Sequence, residues 1–383
     1  MELRYYQQEA VNAVYDYLRN NDDNPCIVLP TGAGKTPVMS TICGDAVNLW
    51  GGRVLVLAHV KELLQQTAST LEAITDNIEV GIYSAGLKRK DMTQNVVVAG
   101  IQSIYRKAFE FDPFDLVLVD ECHLIPPSGD GMYRQFLSDA MIANPKLRVI
   151  GLTATPYRMS SGMVCAPENM LNEICYEIGV KELIVQGYLC PLKSKAGTKK
   201  PDTDNLHIRA GEFISSEVEK LMDDDGLVHS ACNEIIAKTK DRNSVLIFTS
   251  GIEHAEHVAE KLSKRVGEQS VGVVTGQTAA GERAEILARF KGQQVKADLF
   301  GAVKPRIKYL VNVNVLTTGF DATNIDCVVL LRPTASPGLY YQMVGRGFRL
   351  HESKSDCLVL DYGNNIVRHG PVDAMVIKDK GSG

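Results

Sequence analysis

Short runs of β-branched and aliphatic residues alternate with longer amphipathic stretches through most of this sequence, and that alternation leaves few folds open. In the first half the strand candidates are Cys26–Leu29, Arg53–Ala58, Asn95–Ile101, Asp115–Val119 and Arg148–Leu152. Helical stretches such as Gln7–Leu18, Pro37–Leu49 and Lys61–Ile74 lie between them. Strands that are apolar at nearly every position must be covered on both faces, as in a parallel sheet flanked by helices. From about Pro191 to Asp225 the sequence turns polar, with Lys193, Lys195, Lys199 and Lys200 ahead of Pro201-Asp202-Thr203-Asp204. Alternation resumes at Val245–Phe248, Val271–Val274, Tyr309–Val313, Cys327–Leu331 and Cys357–Leu360. The pattern predicts two α/β domains: residues 1–190, a linker or accessory segment over 191–225, a second domain over 226–370 and a tail over 371–383. Tyr188-Leu189-Cys190-Pro191 reads as the exit from the first domain.

The segment Leu29-Pro30-Thr31-Gly32-Ala33-Gly34-Lys35-Thr36 follows a strand candidate and opens a helix. Gly32 and Gly34 let the backbone turn tightly, so that its N–H groups, with those of Thr31 and Ala33, can face phosphate oxygens at a helix N-terminus. Lys35 can reach the β- and γ-phosphates of a nucleotide, and the Thr36 hydroxyl can ligate Mg²⁺. Leu29 stands where the strict phosphate-loop pattern has glycine. Pro37 is tolerated because the first helical turn has no acceptor for its missing N–H. Further on, Phe114-Asp115-Leu116-Val117-Leu118-Val119-Asp120-Glu121 is an apolar strand ending in two carboxylates. It can place Asp120 at the carboxyl end of a sheet, where open α/β folds bind ligands. Asp120 would then hold Mg²⁺ with Thr36, and Glu121 would orient the attacking water.

Asp120-Glu121-Cys122-His123 resembles the DExH box of superfamily 2 helicases, and other stretches resemble that superfamily's motifs in order. Leu3-Arg4-Tyr5-Tyr6-Gln7 is similar to a Q-motif, which implies that Gln7 reads the adenine edge with Arg4 or Tyr6 nearby. Leu152-Thr153-Ala154-Thr155-Pro156-Tyr157-Arg158 is similar to motif III, which implies that His123, Thr153, Thr155 and Arg158 couple the ATP site to the nucleic-acid path. Leu316-Thr317-Thr318-Gly319-Phe320-Asp321 resembles motif V, with Gly319 and Asp321 at the nucleotide. Gln342-Met343-Val344-Gly345-Arg346-Gly347-Phe348-Arg349 resembles motif VI. The resemblance implies two tandem RecA-like domains with ATP in the cleft between them, Gln342 acting in catalysis, and Arg346 and Arg349 as arginine fingers. Three residues apart, those arginines would share a face if a helix runs through both. Within the superfamily the sequence resembles the bacterial RadD-type DNA repair ATPases, through Tyr6–Val11, Val54–Leu63, Ala85–Lys90 and Tyr309–Ala322. Longer members of that group continue into a cysteine-rich zinc-binding tail, and nothing assigned to that tail is carried over.

The superfamily resemblance lays a nucleic-acid strand along His59, Lys61, Gln102 and Ser103 in the first domain. In the second it passes Thr249, Ser250, Thr275, Thr317 and Thr318. Small polar groups of this kind hold phosphates without reading sequence. The run Lys88-Arg89-Lys90 either extends the track or is solvated surface. Net charge is −5, so affinity for a polyanion must come from a local groove and not from the whole surface. The expected partner is single-stranded, forked or branched DNA, with RNA as the alternative polymer and a single-strand-binding or recombination protein as an added partner. ATP and Mg²⁺ are the expected cofactors. The competing functions are an RNA helicase, or a motor or non-catalytic clamp subunit of a repair or phage-defence complex. Both halves of the ATP site lie in one chain, which predicts a monomer. Nine cysteines stand singly, without C-x-x-C spacing, and read as reduced core thiols. No apolar run reaches the length of a membrane span and the first residues pass straight into helical sequence, so the expected location is cytoplasmic. His254 and His257 read as a solvated helix face.

Overall fold

The computed structural model describes residues 2–372 apart from 59–60, 76–77, 159–161, 210, 298–301, 317–319 and 321. The side chains of residues 61–63 and 158 also lie outside the described set. The chain divides into two compact units, Met1–Gly179 and Val180–Gly383.

Ten strands belong to the first unit. They are β1 (Pro25–Val28), β2 (Val54–Ala58), β3 (Val80–Ser84), β4 (Arg89–Lys90), β5 (Val96–Gly100), β6 (Leu116–Asp120), β7 (Arg148–Thr153), β8 (Tyr157–Arg158), β9 (Gly162–Met163) and β10 (Glu173–Glu177). β8 and β9 pair only with each other; the rest form one sheet in the order β10-β1-β7-β6-β2-β5-β3-β4. All its neighbours are parallel except the β3–β4 hairpin. Its central strands are buried at every position, in keeping with sequences made almost wholly of Val, Leu and Ala. Helix Tyr5–Asn20 precedes β1, and helices Lys35–Asn48, Lys61–Ile74 and Met132–Ala143 connect strands. One consequence places the site. β7 lies between β1 and β6, with Val28 opposite Thr153 and Asp120 opposite Leu152, so three loops leave the sheet side by side.

The second unit holds β11 (Leu192–Ala196), the short hairpin β12 (Ile208–Arg209) and β13 (Glu212–Phe213), then β14 (Val245–Thr249), β15 (Val271–Val274), β16 (Tyr309–Asn312), β17 (Cys327–Leu331) and β18 (Cys357–Asp361). Its main sheet is parallel throughout, in the order β11-β18-β17-β14-β16-β15. Its own core gathers Val245, Ile247, Val258, Leu262, Val311, Val329 and Leu360.

The domain borders differ from the expected ones. The first unit ends at Gly179, and residues 191–225 are not a linker. β11 pairs with β18 from Leu192↔Cys357 to Ala196↔Asp361, and helix Ser215–Met222 buries Val218 and Met222. Cys190, expected at the exit of the first domain, donates its N–H to Phe348 O at 2.8 Å within the second unit. The polar look of 191–225 reflects an edge strand with exposed lysines, not an absence of structure. His254 is also corrected: it is fully buried, and only its neighbour His257 meets acids, Asp223 at 2.8 Å and Asp225 at 3.2 Å. Among the described residues none of the nine cysteines is joined in a disulfide. Among the described residues no helix is long and apolar enough to cross a membrane.

Candidate active site and nucleic-acid track

The phosphate loop joins β1 to helix Lys35–Asn48. Gly32 and Gly34 take φ of 86° and 84°, the left-handed region that glycine enters freely, and Ala33 N–H closes the turn on Pro30 O at 3.0 Å. The Q-motif residues buttress this loop from helix Tyr5–Asn20. Tyr6 Oη donates to Ala33 O at 2.8 Å, and Gln7 Nε2 donates to Ala33 O at 2.9 Å and Gly34 O at 3.3 Å. Gln7 Oε1 accepts from Arg4 N at 2.9 Å, and Arg4 Nη1 donates to Tyr6 Oη at 3.1 Å. A Cβ on Gly34 would stand 2.4 Å from Gln7 Nε2, so the glycine is needed for contact as well as for φ.

Lys35 Nζ lies 2.8 Å from Glu121 Oε1, and both side chains are largely buried. Burial pulls the ammonium down, but the charges of Glu121 and Asp120 outweigh it and hold Lys35 above its ordinary value. Burial raises Asp120; Lys35 opposes that and Glu121 adds to it, leaving the carboxyl above the usual carboxylate range. Asp120 Oδ1 also accepts from Glu121 N at 3.0 Å. Glu121 itself sits at φ 52°, ψ 49°, a left-handed conformation that a residue with a Cβ holds only when its surroundings fix it.

Part of that fixing comes from the next residues. His123 Nδ1 is 2.9 Å from Thr153 Oγ1, 3.3 Å from Thr155 Oγ1 and 3.4 Å from Glu121 Oε2. Thr155 N donates to Thr153 Oγ1 at 3.0 Å, closing a small network that links the acidic pair to the motif III residues. Cys122 lies on the sheet over Gly151 of β7, where a Cβ would be 2.7 Å from Cys122 Sγ and 2.4 Å from Leu171 Cδ1. Cys122 Sγ also meets Cys26 Sγ at 3.5 Å; that contact, then Cys165, then burial keep the Cys26 thiol well above its usual value and neutral. Gly151 escaped the sequence reading because a lone glycine inside a strand carries no chemistry of its own. Arg158 is in β8, with its side chain outside the described residues.

The candidate metal donors here are oxygen groups, the hydroxyl of Thr36, next after Lys35, and the buried carboxylate of Asp120. That donor set suits Mg²⁺, which keeps several waters and takes substrate phosphates as ligands. Among the described residues no group of three or more His, Cys, Asp or Glu side chains could hold a metal by itself.

In the second unit, Gln342 is half-buried on helix Pro337–Val344, which Ser336 caps through its hydroxyl at 3.2 Å from Leu339 N. Arg346 lies on the turn Gly345–Gly347; its Nη1 donates to Phe320 O at 2.7 Å and its Nε to Gln342 O at 3.4 Å. Arg349 does not continue that helix, so the shared helical face expected for the two arginines is not formed. The helix ends at Val344 because Gly345 and Gly347 follow.

The nucleic-acid candidates separate. Gln102 is exposed on helix Ile101–Ile104, and Ser103 Oγ accepts from Ala85 N at 3.0 Å, which sets the pair beside the turn leading into Arg89–Lys90. Lys88, Arg89 and Lys90 are exposed there. Thr249, Ser250 and Thr275 are buried instead, a departure from expectation. Thr249 Oγ1 donates to Asn312 O at 3.0 Å and Ser250 Oγ to Leu331 O at 3.3 Å, while Thr275 Oγ1 accepts from Gln277 N at 3.2 Å. Hydroxyls satisfied inside the fold are not presented to a phosphate. His59, Thr317, Thr318, Gly319 and Asp321 lie outside the described residues, as does the side chain of Lys61.

A family model described as type III restriction enzyme, res subunit, matches residues 1–158, and one described as helicase conserved C-terminal domain matches residues 227–351. IRC3 of Saccharomyces cerevisiae, named as an ATP-dependent helicase, is 30% identical over 94% of this chain and 51% of its own length. The type I restriction enzyme EcoAI endonuclease subunit of Escherichia coli is 27% identical over 91% of this chain and 44% of its own. The DNA 3'-5' translocase XPB2 of Sulfurisphaera tokodaii is 25% identical, over 93% and 80%. The chain thus spans about half the length of the first of these relatives, at 51% and 44%. Among solved structures, an HsdR fragment of a type I restriction enzyme from Vibrio vulnificus YJ016 shares the fold with TM-score 0.71 at 24% identity, over 97% of this chain and 67% of that one. Saccharomyces cerevisiae Dbp5 bound to RNA and ADP BeF3 does so with TM-score 0.64 at 18% identity, over 95% and 85%.

Proposed function

We propose that this chain, with its two tandem RecA-like domains, is a superfamily 2 helicase that couples Mg²⁺-dependent ATP hydrolysis to movement along DNA. The observation that carries the reading is the cluster where β1, β6 and β7 end. Lys35 is ion-paired to Glu121 beside Asp120, and His123 joins that cluster to Thr153 and Thr155. In the proposed cycle the amides of Thr31–Thr36 take the phosphates, with Lys35 neutralising the β- and γ-oxygens. Thr36 and Asp120 would hold Mg²⁺, whose contribution when bound is to neutralise charge on the phosphates. Glu121 would orient the attacking water. Gln7 and Arg4 would meet the adenine, and Gly319 and Asp321 would complete the nucleotide contacts. Arg346 and Arg349 would supply positive charge to the γ-phosphate from the second domain, a contribution worth about 10³–10⁵ in rate where arginine fingers have been isolated, with Gln342 adding a neutral amide donor.

DNA as the polymer, and a repair or recombination role, rest on the RadD-type resemblance and on relatives named as a DNA translocase and as restriction subunits. Gln102 and Lys88–Lys90, with the half-buried Ser103 beside them, are the part of the track that supports a backbone grip in the first domain. The test is steady-state ATP hydrolysis with Mg²⁺, alone and with single-stranded, duplex and forked DNA and RNA, beside Glu121→Gln. Stimulation by DNA with a drop of about 10²-fold or more in Glu121→Gln is the expected result. Stimulation by RNA alone overturns the substrate, and an unaffected Glu121→Gln overturns the catalytic reading.

A further inference from the structure

The turn that carries Arg346 is tethered on two sides, and only one tether belongs to a recognised motif. On one side Arg346 Nη1 holds Phe320 O at 2.7 Å. On the other, the ammonium of Lys354 donates to Gly347 O at 3.1 Å and to Ile325 O at 2.6 Å. Gly347 closes the turn Gly345–Gly347, and Ile325 lies five residues beyond Phe320 in the segment leading into β17. Lys354 therefore ties the motif VI turn to the segment that follows motif V, independently of Arg346.

The connection between Arg349 and β18 is shaped to deliver this ammonium. Lys354 N–H closes a turn on His351 O at 3.2 Å, and His351 Nδ1 contacts Ser353 Oγ at 2.8 Å and accepts from Ser353 N at 3.1 Å. Of the two carboxylates that stand two residues away, Glu352 and Asp356, the second is already taken by Lys193 at 2.6 Å and Arg242 at 2.7 Å. Among the described residues no carboxylate pairs with Lys354, so its charge is met by carbonyl dipoles. Burial pulls its ammonium below the ordinary lysine value. A half-buried cation without an acidic partner is costly unless its geometry is used. The rest of the turn's underside is equally tight. A Cβ on Gly347 would be 2.5 Å from Cys357 Sγ, and Phe348 O accepts from Cys190 N at 2.8 Å.

We propose that Lys354 is a positioning residue for the arginine of motif VI, its ammonium fixing the Gly345–Gly347 turn so that Arg346 is presented to the nucleotide without reorganisation. This rests on the role proposed above for Arg346. A displacement of about 1 Å at a group acting in the transition state can cost on the order of 10²-fold in rate.

The experiment compares ATP turnover of Lys354→Met, Lys354→Arg, Arg346→Ala, the double variant Lys354→Met/Arg346→Ala and Asp356→Asn. Each is assayed with the polymer that stimulates the wild-type protein most, and melting temperatures are recorded. Lys354→Met is expected to lower kcat about tenfold or more with the KM for ATP within about twofold. Lys354→Arg, which can still donate to both carbonyls, is expected to recover most of the rate. In the double variant the loss is expected to equal that of Arg346→Ala alone, because one residue acts through the other. Asp356→Asn breaks two neighbouring ion pairs and is expected to lower the melting temperature while kcat holds, which separates positioning from general stability. The inference is overturned by a wild-type kcat in Lys354→Met, by losses that multiply in the double variant, or by an equal loss of kcat in Asp356→Asn. A wild-type rate in Arg346→Ala overturns the motif VI role and this inference together; a slow Arg346→Ala beside a normal Lys354→Met overturns this inference alone.

Discussion

At the scale of single residues, the site depends on two positions whose backbone geometry leaves no slack. Gly34 must have positive φ and must also let Gln7 reach the loop carbonyls. Gly34→Ala meets both constraints at once: about 1–2 kcal/mol for a left-handed residue with a Cβ, and a Gln7 amide pushed aside. ATP affinity measured by calorimetry is expected to fall roughly tenfold, the equivalent of about 1.4 kcal/mol. Glu121 holds a positive φ without being glycine, which no sequence signal announced. His254 carries a different consequence. Burial pulls its imidazole from 6.5 down to about 4, while Nδ1 accepts from Ser250 N at 3.2 Å. The unfolded chain therefore binds a proton that the folded second unit refuses, between about pH 6.5 and 4. Stability from this residue is complete above pH 6.5 and is lost as pH falls through that window, by about 2 kcal/mol at pH 5. Urea melts at pH 7 and pH 5 should show the loss, and His254→Gln should shrink it.

At the scale of elements, Gly151 shows how one strand shapes the next one's loop. Gly151→Ala in β7 would force its new methyl against Cys122 and Leu171. A cost of about 1–3 kcal/mol is expected in chemical denaturation, with ATP turnover reduced because Glu121 precedes the displaced Cys122. The elements also explain what could be read beforehand. β2, β5, β6, β14, β17 and β18 were legible to within a residue or two, because central parallel strands are apolar throughout. β10 and β11 were not, because they lie at sheet edges and carry Glu173, Glu177, Lys193 and Lys195 outward. Edge strands resist unwanted pairing with such charges, and the same charges hide them from a search for apolar runs. The phosphate loop and acidic pair were legible for the opposite reason: their residue types answer to chemistry. Thr249 and Ser250 were misjudged because a hydroxyl that caps a carbonyl inside the fold has the same composition as one that faces a phosphate.

At the scale of the molecule, two units each bury their own core, and the net charge divides unevenly between them, −7 over residues 1–179 and +2 over residues 180–383. A net charge of −5 predicts that polymer binding is weak away from the track and falls steeply with salt. Replacing Lys88 and Lys90 with alanine together is expected to weaken binding to all sequences alike. It should also flatten the dependence of log K on log salt by about 1 for each phosphate that the two lysines no longer neutralise. Unchanged binding and an unchanged slope would make that hairpin solvated surface.

The pairing of Lys35 with Glu121 has one more consequence. The two roles proposed for them share one ion pair, so the residue proposed to orient water is held by the residue proposed to hold phosphate. In the proposed cycle a γ-phosphate that takes Lys35 also frees Glu121, and binding and activation become a single exchange of partners.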